Sequence, residues 1–181
     1  MKKILFILLL AAAVVPFQNC STPPDDEVPT DTTKAKVEPI NTFKFNNIDL
    51  YKLKWDSTNM IGSYRPGTDF TTINVEGYSG GEYAAFILKF PGKAKGTFKY
   101  STNTNVNIEV TTGQAVREKK YIYEPTNPQP GQDMVITVTQ YDPVGGRIKG
   151  TFSALLQETF SVSIGRITAG AFEVVRVQDE Q

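Results

Sequence analysis

The sequence predicts an all-β fold, an antiparallel β-sandwich, with a closed or partly open lipocalin-like barrel as the alternative. Three observations carry that reading. Apolar and polar residues alternate with a period of two through most of the chain, glycine, proline, asparagine and aspartate recur between the alternating runs, and no stretch after residue 40 keeps a helical period. Residues 41–181 suffice for one domain, which at that size buries roughly two-thirds of its unfolded surface.

Strands are expected near 43–48, 50–55, 70–77, 83–90, 96–101, 106–111, 118–124, 133–141, 146–157, 159–166 and 170–177. Within 50–55, Tyr51 and Leu53 share a face with Trp55, the sole tryptophan, which either packs in the core or offers a flat ring to a ligand. Phe86, Leu88 and Phe90 form an inward row of the next long run. In Lys119-Lys120-Tyr121-Ile122-Tyr123 the two tyrosines share a face with Lys119, away from Ile122, and either cover the sandwich or bind a ligand. Met134, Ile136 and Val138 point inward against Thr137 and Thr139. Ile148, Phe152, Ala154 and Leu156 repeat the pattern, with Gly150 in register, and Phe160, Val162 and Ile164 are expected to be buried with Ser161 and Ser163 wet.

Turn chemistry separates these runs at Tyr64-Arg65-Pro66-Gly67, Ser79-Gly80-Gly81, Phe90-Pro91-Gly92, Pro125-Thr126-Asn127-Pro128, Pro130-Gly131 and Asp142-Pro143-Val144-Gly145-Gly146. The connections between the last three strands are too short for a crossover, so they are expected to form a meander. One segment is echoed, with G-K-A-K-G-T-F at 92–98 and G-R-I-K-G-T-F at 146–152. Gly96 and Gly150 are expected to permit a bulge or a close backbone approach, after which threonine faces solvent and Phe98 or Phe152 enters the core. The flanks of the two copies do not match, which favours convergence on one turn-to-strand design over duplication.

Composition excludes several chemistries. The 181 residues contain no histidine and one cysteine, so Ser-His-Asp and Cys-His couples, imidazole metal sites and an internal disulfide are all ruled out. Nineteen basic residues balance nineteen acidic ones, and this is no electrostatic footprint for nucleic acid. Calcium loops, phosphate-binding glycine loops and nucleophile elbows are missing from the sequence, and no cofactor or metal is expected. A polysaccharide-acting enzyme would need two carboxylates facing one cleft. The acids open to that role are Asp56, Asp69, Glu76, Glu82, Glu118, Glu124, Asp133, Asp142 and Glu158, and all read more simply as turn or surface residues, so the chain reads as non-catalytic.

The amino terminus carries an address. Lys2 and Lys3 precede an apolar run from Ile4 to Val15, which ends at Pro16 short of a membrane span, so residues 1–19 read as a secretory signal. Cys20, the only cysteine, sits at the expected cleavage point and resembles the lipidated first residue of bacterial lipoproteins, with Asn19 where that pattern has a small residue. Residues 20–40, with Pro23, Pro24, Pro29 and Pro39 among acids and threonines, read as a disordered tether reaching up to ~60 Å at about 3 Å per residue. Asp25-Asp26-Glu27 resembles the surface-export signal of Bacteroidota lipoproteins. The stretches DPVGGRIKGTFSALL and SVSIGRITAGAFEVVRV resemble the C-terminal strands of small Bacteroidota lipoproteins whose β-rich domains have no established activity. The resemblance implies an outer-membrane lipoprotein held by its acyl chains, and the acidic cluster implies exposure at the cell surface.

The function expected is therefore that of a lipid-anchored, non-catalytic envelope protein acting as a binding or structural module. Its expected partners are the membrane, through the N-terminal lipid, and a glycan or an envelope protein. Candidate ligand-binding residues are Trp55, Tyr121 and Tyr123. A lipocalin-like carrier of a small apolar ligand is the alternative, motivated by eleven phenylalanines and the many strands.

Overall fold

A computed structural model describes residues 41–47, 49–54, 58–113, 119–122 and 133–181, with the backbone alone at 119–122. The signal, the tether with Cys20, Trp55, Tyr123 and the turns at 125–131 lie outside the described residues. The fold is all-β, with eleven strands among the described residues: β1 (Asn41–Phe45), β2 (Asp49–Leu53), β3 (Met60–Arg65), β4 (Phe70–Ser79), β5 (Glu82–Pro91), β6 (Gly96–Lys99), β7 (Asn107–Gly113), β8 (Lys119–Ile122), β9 (Val135–Tyr141), β10 (Arg147–Glu158) and β11 (Ile164–Arg176).

The strands hydrogen-bond in the order β2-β1-β11-β3-β4-β5-β7-β8-β10-β9-β6, with β10 also pairing β11. Among the described residues two of these pairings are two residues long: β11 with β3, through Val175↔Ile61 and Arg176↔Gly62, and β10 with β8, through Gln157↔Ile122 and Glu158↔Tyr121. They are corners. Between them lie two layers, β3-β4-β5-β7-β8 and β2-β1-β11-β10-β9-β6, whose apolar faces meet as a sandwich. Phe86 of β5 packs edge-on to Phe43 of β1 at 6.1 Å and against Phe152 of β10 at 4.8 Å between ring centroids. Phe90 stacks on Phe98 at 5.0 Å, and Phe43 on Tyr51 at 4.8 Å. The space that a lipocalin-like barrel would leave for a ligand is occupied here by these rings together with Met60, Ile73, Leu88, Ile108, Ile136 and Leu156, all fully buried.

Most inward rows fall where period-two alternation places them: Phe86, Leu88 and Phe90; Met134, Ile136 and Val138; Ile148, Phe152, Ala154 and Leu156. The echoed segments share one strand. Gly96 and Gly150 both pair with Val138, Thr97 and Thr151 with Thr137, Phe98 and Phe152 with Ile136, so that β6 and β10 flank β9 in identical register. Thr151 is exposed and Phe152 buried, and the ladder shifts register between Lys149 and Gly150, as the glycine predicts. A Cβ at Gly150 would lie 2.1 Å from the carbonyl oxygen of Thr137 and 2.7 Å from Phe172 Cζ.

Four expectations are corrected. Strand β3 was not anticipated, because M-I-G-S-Y-R shows no clean alternation: Gly62 sits in a corner so crowded that a Cβ would come within 2.7 Å of Ile148 Cδ1 and 2.9 Å of Ile73 Cδ1. The two strands expected at 159–166 and 170–177 are one, β11, interrupted by a bulge near Thr168 and Ala169, where Ala169 takes φ 50°. The meander is therefore β9-β10-β11. Residues 159–163 turn rather than extend: Glu158 N–H donates to the Ser163 carbonyl at 2.9 Å, and the serine hydroxyls are spent inside the turn, bonding each other at 2.9 Å. Phe160, Val162 and Ile164, expected in the core, are all exposed. The sheet is also mixed, since the β11–β3 corner is parallel.

Candidate binding face

The outer face of β4-β5-β7 carries a polar groove whose shape follows from one small residue. Strand β5 runs between β4 and β7, and in the row Glu76↔Ala85↔Thr111 its own member is alanine. The methyl of Ala85 forms the floor. Tyr83 and Ile87, two residues either way along β5, stand as walls, and Glu76, Asn74, Glu109 and Thr111 line the sides, enclosing about 150 Å³ open to solvent. Glu76 is held on both oxygens: Tyr83 OH donates to Oε2 at 3.3 Å and Asn74 Nδ2 to Oε1 at 3.3 Å. Across the groove Asn107 Nδ2 donates to Glu109 Oε1 at 3.3 Å.

A ring pair extends this face toward the hairpin. Gly80 and Gly81, at φ 61° and 90°, make the two-residue turn between β4 and β5, a conformation open at both positions to residues without a Cβ. That turn sets Tyr78 directly opposite Tyr83. Their rings meet edge to face, 5.8 Å apart at 73°, with Tyr78 largely exposed. The site thus offers an apolar floor, an aromatic edge, two carboxylates as acceptors and an amide as donor.

Of the residues picked from sequence, Tyr121 lies on β8, paired with Val110 of β7 and Glu158 of β10, in the register row of Phe86 and Val110. Cys20, Trp55, Tyr123, Asp56, Glu118 and Glu124 lie outside the described residues. Among the six of these acids that lie in the described residues, only Glu76 lines this groove. Asp69 accepts from Tyr64 OH at 2.8 Å and holds the tyrosine pKa above its ordinary value. Asp133 accepts from Ser101 N–H at 3.1 Å and from its hydroxyl. Asp142 accepts from Gln140 Nε2 at 2.6 Å and from Arg147 N–H at 3.1 Å, bonds that hold its carboxyl below the usual range. Glu82 lies 3.5 Å from Tyr51 OH, whose pKa is raised first by burial and then by that carboxylate.

Sequence reasoning missed Tyr78, Tyr83 and Glu109. The signal was present in Y-S-G-G-E-Y: a Gly-Gly turn with equal arms places the two tyrosines across from one another. Among the described residues no group of three or more His, Cys, Asp or Glu could hold a metal ion, and no helix is long and apolar enough to cross a membrane. Compared with protein families, with curated proteins and with solved structures, the chain matches none.

Proposed function

We propose that this protein is a lipid-anchored, non-catalytic module of the cell envelope that binds glycan on the outer face of β4-β5-β7. The observation that carries the reading is the groove itself. A pyranose ring presents an apolar C–H face and a rim of hydroxyls, and the Ala85 floor with the Tyr83 and Tyr78 rings suits the first while Glu76, Asn74 and Glu109 suit the second. Two carboxylates favour hydroxyl or ammonium donors and repel uronic or sulfated sugars, so neutral and amino sugars are the expected class. Glycosidase chemistry is less well supported: Glu76 and Glu109 lie two strands and two residues apart, and each carboxylate is already held by an asparagine of its own strand, Asn74 and Asn107, which suits fixed acceptors better than a proton-transferring pair. Membrane attachment through Cys20 is supported by the sequence of the first forty residues.

Two measurements test this. The full chain is applied to an array of neutral, amino and acidic oligosaccharides, wild type beside Tyr83→Ala and Glu76→Gln; selective retention of neutral or amino sugars is expected, reduced on the order of tenfold by loss of the ring contact. An unchanged profile in both variants would remove the groove from consideration. For the anchor, Cys20→Ser expressed in a lipoprotein-processing bacterium should move the protein from the membrane to the soluble fraction, and its persistence on the membrane would refute lipidation at that residue.

A further inference from the structure

The β10–β11 turn presents an apolar tip that no contact of the fold explains. Phe160 is fully exposed, Val162 is 89% exposed and Ile164 more than half exposed, three alternate positions running from the turn into the first residue of β11. The turn is braced. Besides the Glu158–Ser163 bond, Ser161 N–H donates to the Glu158 carbonyl at 3.1 Å, Gln157 Nε2 donates to the Ser161 carbonyl at 2.9 Å, and Ser163 N–H donates to Ser161 Oγ at 3.1 Å. Phe160 itself sits at φ 64°, a left-handed conformation that costs an aromatic residue energy and that a polar Asn or a Gly would accept at less cost. A strained, fully exposed phenylalanine held out by a rigid turn is an outlier of the kind that marks function.

We infer that this tip inserts into a phospholipid bilayer and so sets the orientation of the domain on the membrane surface. The position of the tip points to a fluid acceptor: it closes the β10–β11 hairpin beyond its last pair, Gln157↔Ile164, with all three apolar side chains exposed. Two exposed cations at this end of β11 suit lipid phosphates, Arg166 two residues beyond Ile164 and Lys44 on β1 opposite Thr168, against one exposed acid, Asp49, opposite Phe45, while Glu158 at the base of the turn is half-buried. Chain length permits it. The described chain begins at Asn41, whose Oδ1 accepts from Glu173 N–H at 2.9 Å, nine residues along β11 from Ile164, or about 30 Å. The segment between Cys20 and Asn41 spans up to about 60 Å when extended, so a lipid on Cys20 and the tip can meet the same bilayer. Two weak attachments to one surface are worth far more than either alone. The inference rests on the proposed membrane attachment, and its test is arranged to be independent of natural acylation.

The full chain is coupled through Cys20, its single thiol, to a maleimide lipid in vesicles of phosphatidylethanolamine and phosphatidylglycerol. Reporter variants are Phe160→Trp at the tip and Val144→Trp in the β9–β10 turn at the other end of β10, each measured against the wild-type background of Trp55. The expected result is a blue shift of the tip reporter, with its emission quenched about twofold or more by brominated acyl chains, and no change for the reporter at 144. Adding Val162→Ser to Phe160→Trp should reverse the shift in part. Equal behaviour of the two reporters, or no quenching at 160, would overturn the inference. So would a concentration-dependent blue shift without vesicles, which would assign the tip to a second copy of the chain. Mass spectrometry of protein from native membranes separately reports whether Cys20 is acylated.

Discussion

Gly96 and Gly150 occupy the same register on opposite sides of Val138, yet their surroundings differ, and the difference decides what each tolerates. A Cβ at Gly150 meets backbone, the Thr137 carbonyl, which cannot move without breaking the ladder; at Gly96, on the edge strand β6, the nearest atom is the end of the Phe98 ring at 3.4 Å. Gly150→Ala should therefore cost about 2–4 kcal/mol in chemical denaturation and Gly96→Ala less than about 1 kcal/mol. Asp142 offers a second test at this scale. Its folded-state pKa lies below the ordinary 3.8 because the Arg147 amide and the Gln140 amide bind the carboxylate. A carboxylate depressed on folding contributes stability that is complete above its unfolded value and drains away as pH falls through the folded one. The stability advantage of wild type over Asp142→Asn should then hold near neutrality and shrink below about pH 4, as followed by denaturant midpoints across the acid range.

At the scale of elements, β11 shows how a bulge misleads a reading of sequence. Between Ile167, opposite Ala154, and Gly170, opposite Phe152, β11 carries two residues against one on β10, and Ala169 absorbs the excess at φ 50°. Gly170 must be glycine, since a Cβ there would approach the Phe152 carbonyl to 2.6 Å. Ala169 is strained and exposed, so Ala169→Gly should raise stability by up to about 1 kcal/mol, read as an upward shift in urea midpoint at constant slope. In sequence, T-A-G-A breaks the alternation and suggests a strand boundary, which is why one long strand read as two. The serines of residues 161 and 163 misled in the opposite sense: they alternate with apolar residues as a half-buried strand would, but their hydroxyls serve the turn itself. Where side chains answered only to burial, as in Phe86, Leu88 and Phe90 or in Met134, Ile136 and Val138, alternation alone placed them correctly. The groove was legible in part, because Glu76 stood among the acids and the Gly-Gly turn was recognised, while the pairing of Tyr78 with Tyr83 and the approach of Glu109 from β7 depend on register across three strands.

At the scale of the whole molecule, the described residues join the two layers at corners of two residue pairs each, and other contacts help to hold them closed. Beyond the parallel pairing of β11 with β3, Val177 N–H donates to the Gly62 carbonyl and Glu180 N–H to the Tyr64 carbonyl, each at 2.9 Å. Glu180 also takes the Ser63 hydroxyl at 2.6 Å and pairs with Arg65. Beside this seam Arg176 is buried, its guanidinium bonded to Asp179 and to the Val177 carbonyl and lying 5.4 Å over the Tyr141 ring. Tyr141 in turn bonds Thr71 of β4 at 2.8 Å, so the chain of contacts passes from one layer to the other. An ion pair with one buried member is costly to break by removing its partner, because the buried charge stays in a poorly polar setting, but it is often replaceable as a unit by apolar groups. Arg176 is buried and Asp179 about a third exposed, so Asp179→Ala should cost about 1–2 kcal/mol, whereas the double variant Arg176→Met with Asp179→Ala should return to within about 1 kcal/mol of wild type. If the double variant were as unstable as the single, the pair would be contributing attraction across the seam rather than neutralising a charge that the packing of Tyr141 and Thr71 has enclosed.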